Sequence, residues 1–207
     1  MKRVLTLLCT AAFFYSCESK LQENTTTNNA GLVSAITESA TQPTALNQQA
    51  LKERGEYLVT IGGCSDCHSP KLAPSDKIPP MTADPDRFLS GHPASAKLPP
   101  ISPGSGQNGW VMFNMDNTAA VGPWGTSFSA NLTPDPTGIG NWTLDNFKKA
   151  LREGKYKGMD NTRPLLPPMP WPHYSKMKNE DLEAIFTYLK SIKPVKNVVP
   201  TPIPPAV

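Results

Sequence analysis

The sequence predicts an all-α fold of about three main helices, broken by a long irregular insertion rich in proline and glycine. Three observations predict it. Apolar residues recur at helical spacing in three stretches, 48–61, 144–153 and 180–192. Between His68 and Asn141 no helical periodicity outlasts a single turn, while prolines and glycines abound. The five residues Cys64-Ser65-Asp66-Cys67-His68 follow directly on the first helical stretch, where a bound group can complete a core that short helices lack.

The first 47 residues stand apart from the domain. Met1-Lys2-Arg3 is a basic start, and Val4 to Tyr15 is an apolar run too short to span a bilayer. Residues 1–16 read as a signal peptide of the lipoprotein type, because Ser16-Cys17 places a small residue before a cysteine that would be acylated as the first mature residue. Phe14-Tyr15 departs from the usual pattern there, and an ordinary signal peptide with Cys17 incidental is the competing reading. Residues 17–47, rich in Asn, Thr, Gln, Ser and Ala, read as a disordered tether, since they have little apolar surface to offset ordering entropy. The domain is expected over 48–200, with 201–207 as a C-terminal tail.

The first helix is predicted over Gln48 to Ile61, capped by Asn47. Leu51, Gly55, Leu58 and Gly62 lie on one stripe. Glycines there weaken a helix by about 1 kcal/mol each, a cost that makes sense if another helix crosses closely. Gly62-Gly63 ends the helix. In the insertion, Trp110 to Phe113 and the stretch near Phe128 are expected to pair as a small hairpin. The middle helix is predicted over Leu144 to Glu153, with Thr143 as N-cap and Gly154 just beyond its end. The last runs from Glu180 to Ile192, with Leu182, Ile185, Phe186 and Leu189 on its apolar face and Pro194 as its stop.

Two thiols three residues apart can add across the two vinyl groups of one haem, and a histidine directly after them is then held beneath the iron. Cys-x-x-Cys-His is the attachment signature of a c-type haem. The motif predicts one covalent haem c held by Cys64, Cys67 and His68. The competing readings are a dithiol redox pair, which lacks the strand-helix-strand surroundings of such motifs, and half a zinc site, which needs four ligands and has only His92 and His173 as nitrogen candidates beyond His68.

The opposite face of the iron has eight candidates: Met81, Met112, Met115, Met159, Met169, Met177, His92 and His173. Met169 stands out in Leu165-Leu166-Pro167-Pro168-Met169-Pro170-Trp171-Pro172. Four prolines pre-set that backbone, so little entropy is lost in presenting the sulfur. The predicted metal ligands are His68 and Met169, with Met177, Met159 and His92 next in order. Iron held by His and Met is six-coordinate and raised in potential, and it passes electrons without binding substrate at the metal.

Together these features resemble a class I c-type cytochrome. The stretches SANLTPDPTGIGNWTLDNFKKALREGK (129–155) and LLPPMPWPHYSKMKNEDLEAIFTYLKSIKPVKN (165–197) are similar to the haem modules of cytochrome c subunits of bacterial membrane-bound alcohol and aldehyde dehydrogenases. The likeness covers about 48–69 and 128–197, and reaches 70–127 only through FLSGHP. It implies a cytochrome c-like fold, with Met169 of the Pro-Met-Pro turn as distal ligand. Those subunits carry three haem motifs and this sequence carries one. Lys178 also stands where Ser or Thr usually caps the last helix, so Asn179 is expected to cap instead.

The function predicted is that of an electron carrier and not an enzyme: no catalytic set of Ser/His/Asp or Cys/His type is present. The expected partners are redox proteins, a dehydrogenase or quinol-oxidising complex as donor and an oxidase or reductase as acceptor. The expected location is the periplasmic side of a bacterial cell envelope, held to a membrane by lipid on Cys17. A dedicated subunit of a dehydrogenase is the alternative; a haem peroxidase or gas sensor, which needs an open iron, is a third. The formal charge is +3, and without Lys2 and Arg3 it falls to 18 basic against 17 acidic residues, a balance that offers nothing to nucleic acid.

Overall fold

A computed structural model of the chain describes residues 45–100 and 109–205. Cys17, and the residues assigned to signal peptide and most of the tether, lie outside them. Helix α1 (Ala45–Ile61) begins earlier than expected, so Asn47 lies inside it. It ends where Gly62 and Gly63 donate to the carbonyls of Leu58 and Thr60, and Gly63, at φ 64°, reverses the chain into the short helix α2 (Cys64–His68). Helix α3 (Leu144–Glu153) matches the sequence pattern at both ends. The Thr143 hydroxyl accepts the Asn146 N–H, the Asn146 side chain accepts the Thr143 N–H, and Gly154 closes the helix at φ 63°. The one-turn helix α4 (Trp171–Tyr174) follows the proline-rich loop, and α5 (Asn179–Ser191) completes the helices among the described residues.

The all-α expectation is overturned by a three-stranded antiparallel sheet of β1 (Met112–Phe113), β2 (Ala119–Gly122) and β3 (Gly125–Phe128), in the order β1-β2-β3. Both segments expected to form the hairpin are strands, but they do not pair with each other. β2 lies between them, with Met112 opposite Val121 and Ala119 opposite Phe128. The sequence Ala-Ala-Val-Gly is too short, and its side chains too small, to give a legible alternation. Beyond β3 on the outer side, Thr126 and Ile203 exchange both backbone hydrogen bonds, at 2.8 and 3.0 Å, drawing residues after 200 onto the sheet.

The core sits where α1 crosses α5. Leu58 and Val59 from α1 meet Leu182, Ala184, Ile185 and Leu189 from α5, with Phe147 of α3, Leu89 and Ile139 closing the sides. Each large aliphatic side chain buried this way contributes about 1.5–3 kcal/mol. Asn179 does not cap α5. Lys178 holds that position with no side-chain hydrogen bond, and the Asn179 amide oxygen instead accepts from Arg152 of α3 at 2.8 Å.

Gly55 is the point of closest approach: a Cβ added there would run into the Ala184 carbonyl and the Tyr188 Cβ. In an open helix, Gly→Ala stabilises by about 1 kcal/mol. Gly55→Ala is expected instead to destabilise the protein by about 1–3 kcal/mol, measured by chemical unfolding of the mature chain. A variant as stable as wild type would contradict the close crossing.

Candidate functional site

Cys64, Cys67 and His68 share the single turn of α2, so both thiols and the imidazole project from one short rigid element. Lys71 braces that turn. Its ammonium donates to the carbonyls of Ser65, Asp66 and Ser69 at 2.5–3.0 Å and reaches the Asp116 carbonyl at 3.4 Å, tying the helix end to the β1–β2 connection. The positive charge also complements the negative end of the helix dipole. Ser69, fully buried, accepts the Leu89 N–H through its hydroxyl, and the His68 carbonyl accepts the Gly91 N–H at 2.7 Å.

The His68 ring is oriented by one contact. Nδ1 lies 2.8 Å from the Ala130 carbonyl oxygen, two residues past β3. A carbonyl only accepts, so Nδ1 carries the proton and Nε2 keeps its lone pair. Burial pushes the imidazole below its ordinary range, with the Ala130 bond pulling the other way, and the neutral ring is the ligating form. The chemistry of this donor set fits a haem iron on Nε2 and thioether bonds at the two sulfurs.

The surroundings of the thiols run against a redox pair. Burial pushes Cys64 up to about 11 and raises Cys67 as well, helped by the Asp66 carboxylate. A dithiol that works by exchange needs thiols shifted the opposite way. Among the described residues no three His, Cys, Asp or Glu side chains converge as a metal site, so the zinc reading finds no further ligands there.

Met169, half-buried, sits at the turn of a loop anchored on both flanks. Before it, the Leu165 N–H donates to the Gly154 carbonyl at 2.7 Å. After it, the Trp171 indole lies against Gly154, and the Tyr174 hydroxyl donates to the Gly62 carbonyl at 2.9 Å. Gly62 is two residues before Cys64, so the loop carrying Met169 returns to the cysteine motif. Arg152 fixes the exit by donating to the carbonyls of Ser175 and Met177.

The other candidates are placed differently. Met81, Met112, Met115 and Met159 are exposed, Met177 packs against the core, and His173 lies exposed in α4. His92 is buried with Nδ1 2.8 Å from the Thr118 hydroxyl and its ring 4.8 Å from that of Phe128. The contacts that orient the site, from Ala130, Lys71 and Tyr174, escape sequence reasoning. A backbone acceptor leaves no side-chain signal, Tyr174 lies far along the chain from Gly62, and Lys71, though close to the turn it braces, carries no pattern that sets it apart from other lysines.

No protein-family model matches the chain. It is 33% identical over 148 residues to the gluconate 2-dehydrogenase cytochrome c subunit of Pantoea cypripedii, covering 70% of this chain and 24% of that protein. It is 30% identical over 149 residues to the cytochrome c subunit of alcohol dehydrogenase (quinone) of Gluconobacter oxydans, covering 71% and 23%. The fructose dehydrogenase cytochrome subunit of Gluconobacter japonicus is 36% identical over 120 residues, covering 50% and 24%. The chain thus spans about a quarter of the length of the curated relatives it matches. Helices, motif and relatives define a c-type cytochrome module. Its particular likeness is to the cytochrome c subunits of dehydrogenases.

His92 makes a prediction of its own. Burial holds it below the ordinary imidazole value of 6.5, opposed by the Asp116 carboxylate. The unfolded chain takes up this proton near the ordinary value, and the folded chain only at lower pH. Between those two values the unfolded state binds more protons, so the contribution is complete above 6.5 and is lost as pH falls through the folded value. Chemical unfolding below 6.5 is expected to show a shallower loss of stability with acid in His92→Asn than in wild type. Equal pH slopes in the two proteins would show that His92 takes no part.

Proposed function

We propose that the chain carries one haem c, bound through Cys64 and Cys67 with His68 and Met169 on the two faces of the iron, and that it transfers single electrons. The observation that supports this most is the 2.8 Å contact between His68 Nδ1 and the Ala130 carbonyl, which leaves Nε2 free on the same turn as two thiols. Bound haem would supply a reversible one-electron couple. The protein's part is to hold the imidazole in one tautomer and orientation and to keep the sulfur of Met169 on a pre-formed loop. A carbonyl-bound histidine is also a more basic ligand, since the outer partner raises electron density on the ring. With His68 and Met169 both holding the iron, no metal position would remain for substrate, as a carrier requires and a peroxidase or gas sensor does not.

The partners follow from the same reading. The donor is a dehydrogenase or quinol-oxidising complex and the acceptor an oxidase or reductase, met through brief contacts of less than about 1,200 Å². A dedicated subunit of a dehydrogenase is the second reading, and the similarity to cytochrome subunits of such enzymes favours it. The proposed location is the periplasmic side of the cell envelope, with lipid on Cys17 as anchor. Among the described residues no helix is long and apolar enough to cross a membrane.

Replacing Met169 tests the ligand set. Met169→Ala is expected to abolish the Met–iron charge-transfer band of the oxidised protein. It is also expected to lower the reduction potential by on the order of 0.1 V or more, within the ~0.8 V that axial ligands span. An optical redox titration reads both, and a mutant with the wild-type band and potential contradicts the assignment.

A further inference from the structure

We propose that Ser127 is a positioning residue for the distal methionine, its hydroxyl being the hydrogen bond that ties the Pro-Met-Pro loop to the sheet. This rests on the reading of Met169 as an iron ligand. Four of the six residues from Pro167 to Pro172 are prolines and have no N–H to donate. Their carbonyls are the handles by which the loop can be held. The bonds from the Met169, Trp171 and His173 N–H groups all end within the loop, on Leu166, Met169 and Pro170. Among the described residues, one hydrogen bond joins 166–173 to another element: Ser127 Oγ to the Pro167 carbonyl, at 2.6 Å.

Ser127 is built for that task. It lies in β3, 7% exposed. A hydroxyl has a single proton to give. The Pro167 carbonyl at 2.6 Å outcompetes the Ala120 carbonyl at 3.4 Å for it. The Trp124 indole N–H donates to Ser127 Oγ at 3.2 Å, directing the hydroxyl proton away from itself and toward the loop. Three residues on, Ala130 supplies the carbonyl that orients His68. One short segment, 127–130, therefore touches both the His68 ring and the loop that carries Met169.

The test is imidazole titration of the oxidised, matured protein, followed optically. Exogenous imidazole binds only when Met169 has left the iron, so apparent affinity reports the open fraction. Ser127→Ala is expected to bind imidazole roughly three- to tenfold more tightly than wild type, the factor set by loss of one net hydrogen bond. Ser127→Thr, which keeps the donor, is expected to restore most of the wild-type affinity, and Trp124→Phe to fall between. Gly55→Ala, a destabilising change at the helix crossing, is expected to leave imidazole affinity unchanged, which separates loop positioning from loss of global stability. If Ser127→Ala matches wild type while Met169→Ala binds imidazole far more tightly than either, the positioning role is overturned and the ligand assignment stands. If wild type and Met169→Ala bind imidazole alike, the ligand assignment fails and takes this proposal with it. Should Ser127→Ala fail to mature, Ser127→Cys, nearly isosteric with a weaker donor, replaces it, and wild-type affinity there is equally decisive against the role.

Discussion

The contact between His68 and the Ala130 carbonyl organises more of this molecule than its single hydrogen bond suggests. An imidazole can ligate iron through either nitrogen, and an unrestrained ring on a five-residue helix would sample several orientations. Fixing Nδ1 as donor removes that choice. Much of the irregular chain between α2 and α3 serves to hold the acceptor still. Segment 89–92 runs beside 129–132, with the His92 N–H on the Ser129 carbonyl and the Leu132 N–H on the Leu89 carbonyl, both at 2.9 Å. The Gly91 N–H reaches back to His68 itself. At φ 78°, with the Ser129 and Ala130 carbonyls where a Cβ would stand, position 91 admits only glycine without strain. The ring and its acceptor are thus tied to one backbone frame.

That frame explains why a predominantly helical module keeps a small sheet. The helices alone place α2 at one end of α1 and pack α5 across it. They provide a hydrophobic floor and hold the flanks of the proline loop, but offer no hydrogen bond to the His68 ring and none to the loop between 166 and 173. The sheet adds both from a single strand and its exit. Its outer edge is closed by Ile203, and the Asn197 side chain donates to the carbonyls of Ser90 and His92 at 2.7 and 2.9 Å. The chain beyond α5 therefore braces the insertion and does not trail away from it.

Legibility in the sequence follows the range of the interactions involved. Helix α3 could be placed to the residue because its cap, its apolar face and its terminal glycine are all local signals. Gly55 announced a helix crossing before the partner was known, since only close packing offsets its cost. The cysteine motif and the proline-framed Met169 could be singled out as candidates because covalent chemistry and restricted backbones need particular residue types at fixed spacing. The sheet was not visible: its strands are two to four residues long, small in side chain, and defined by pairing partners. Capping of α5 misled for a related reason, as Asn179 carries the right side chain but is engaged by Arg152 from another helix.

Attachment of a macrocycle to this turn of chain is read in the mass of the exported, matured protein. A single added haem is expected, recovered after proteolysis on the peptide holding positions 64 to 68 and surviving acid extraction that strips non-covalent haem. A mature chain of unmodified mass, or one whose two cysteines are recovered as free thiols or a disulfide, would contradict it.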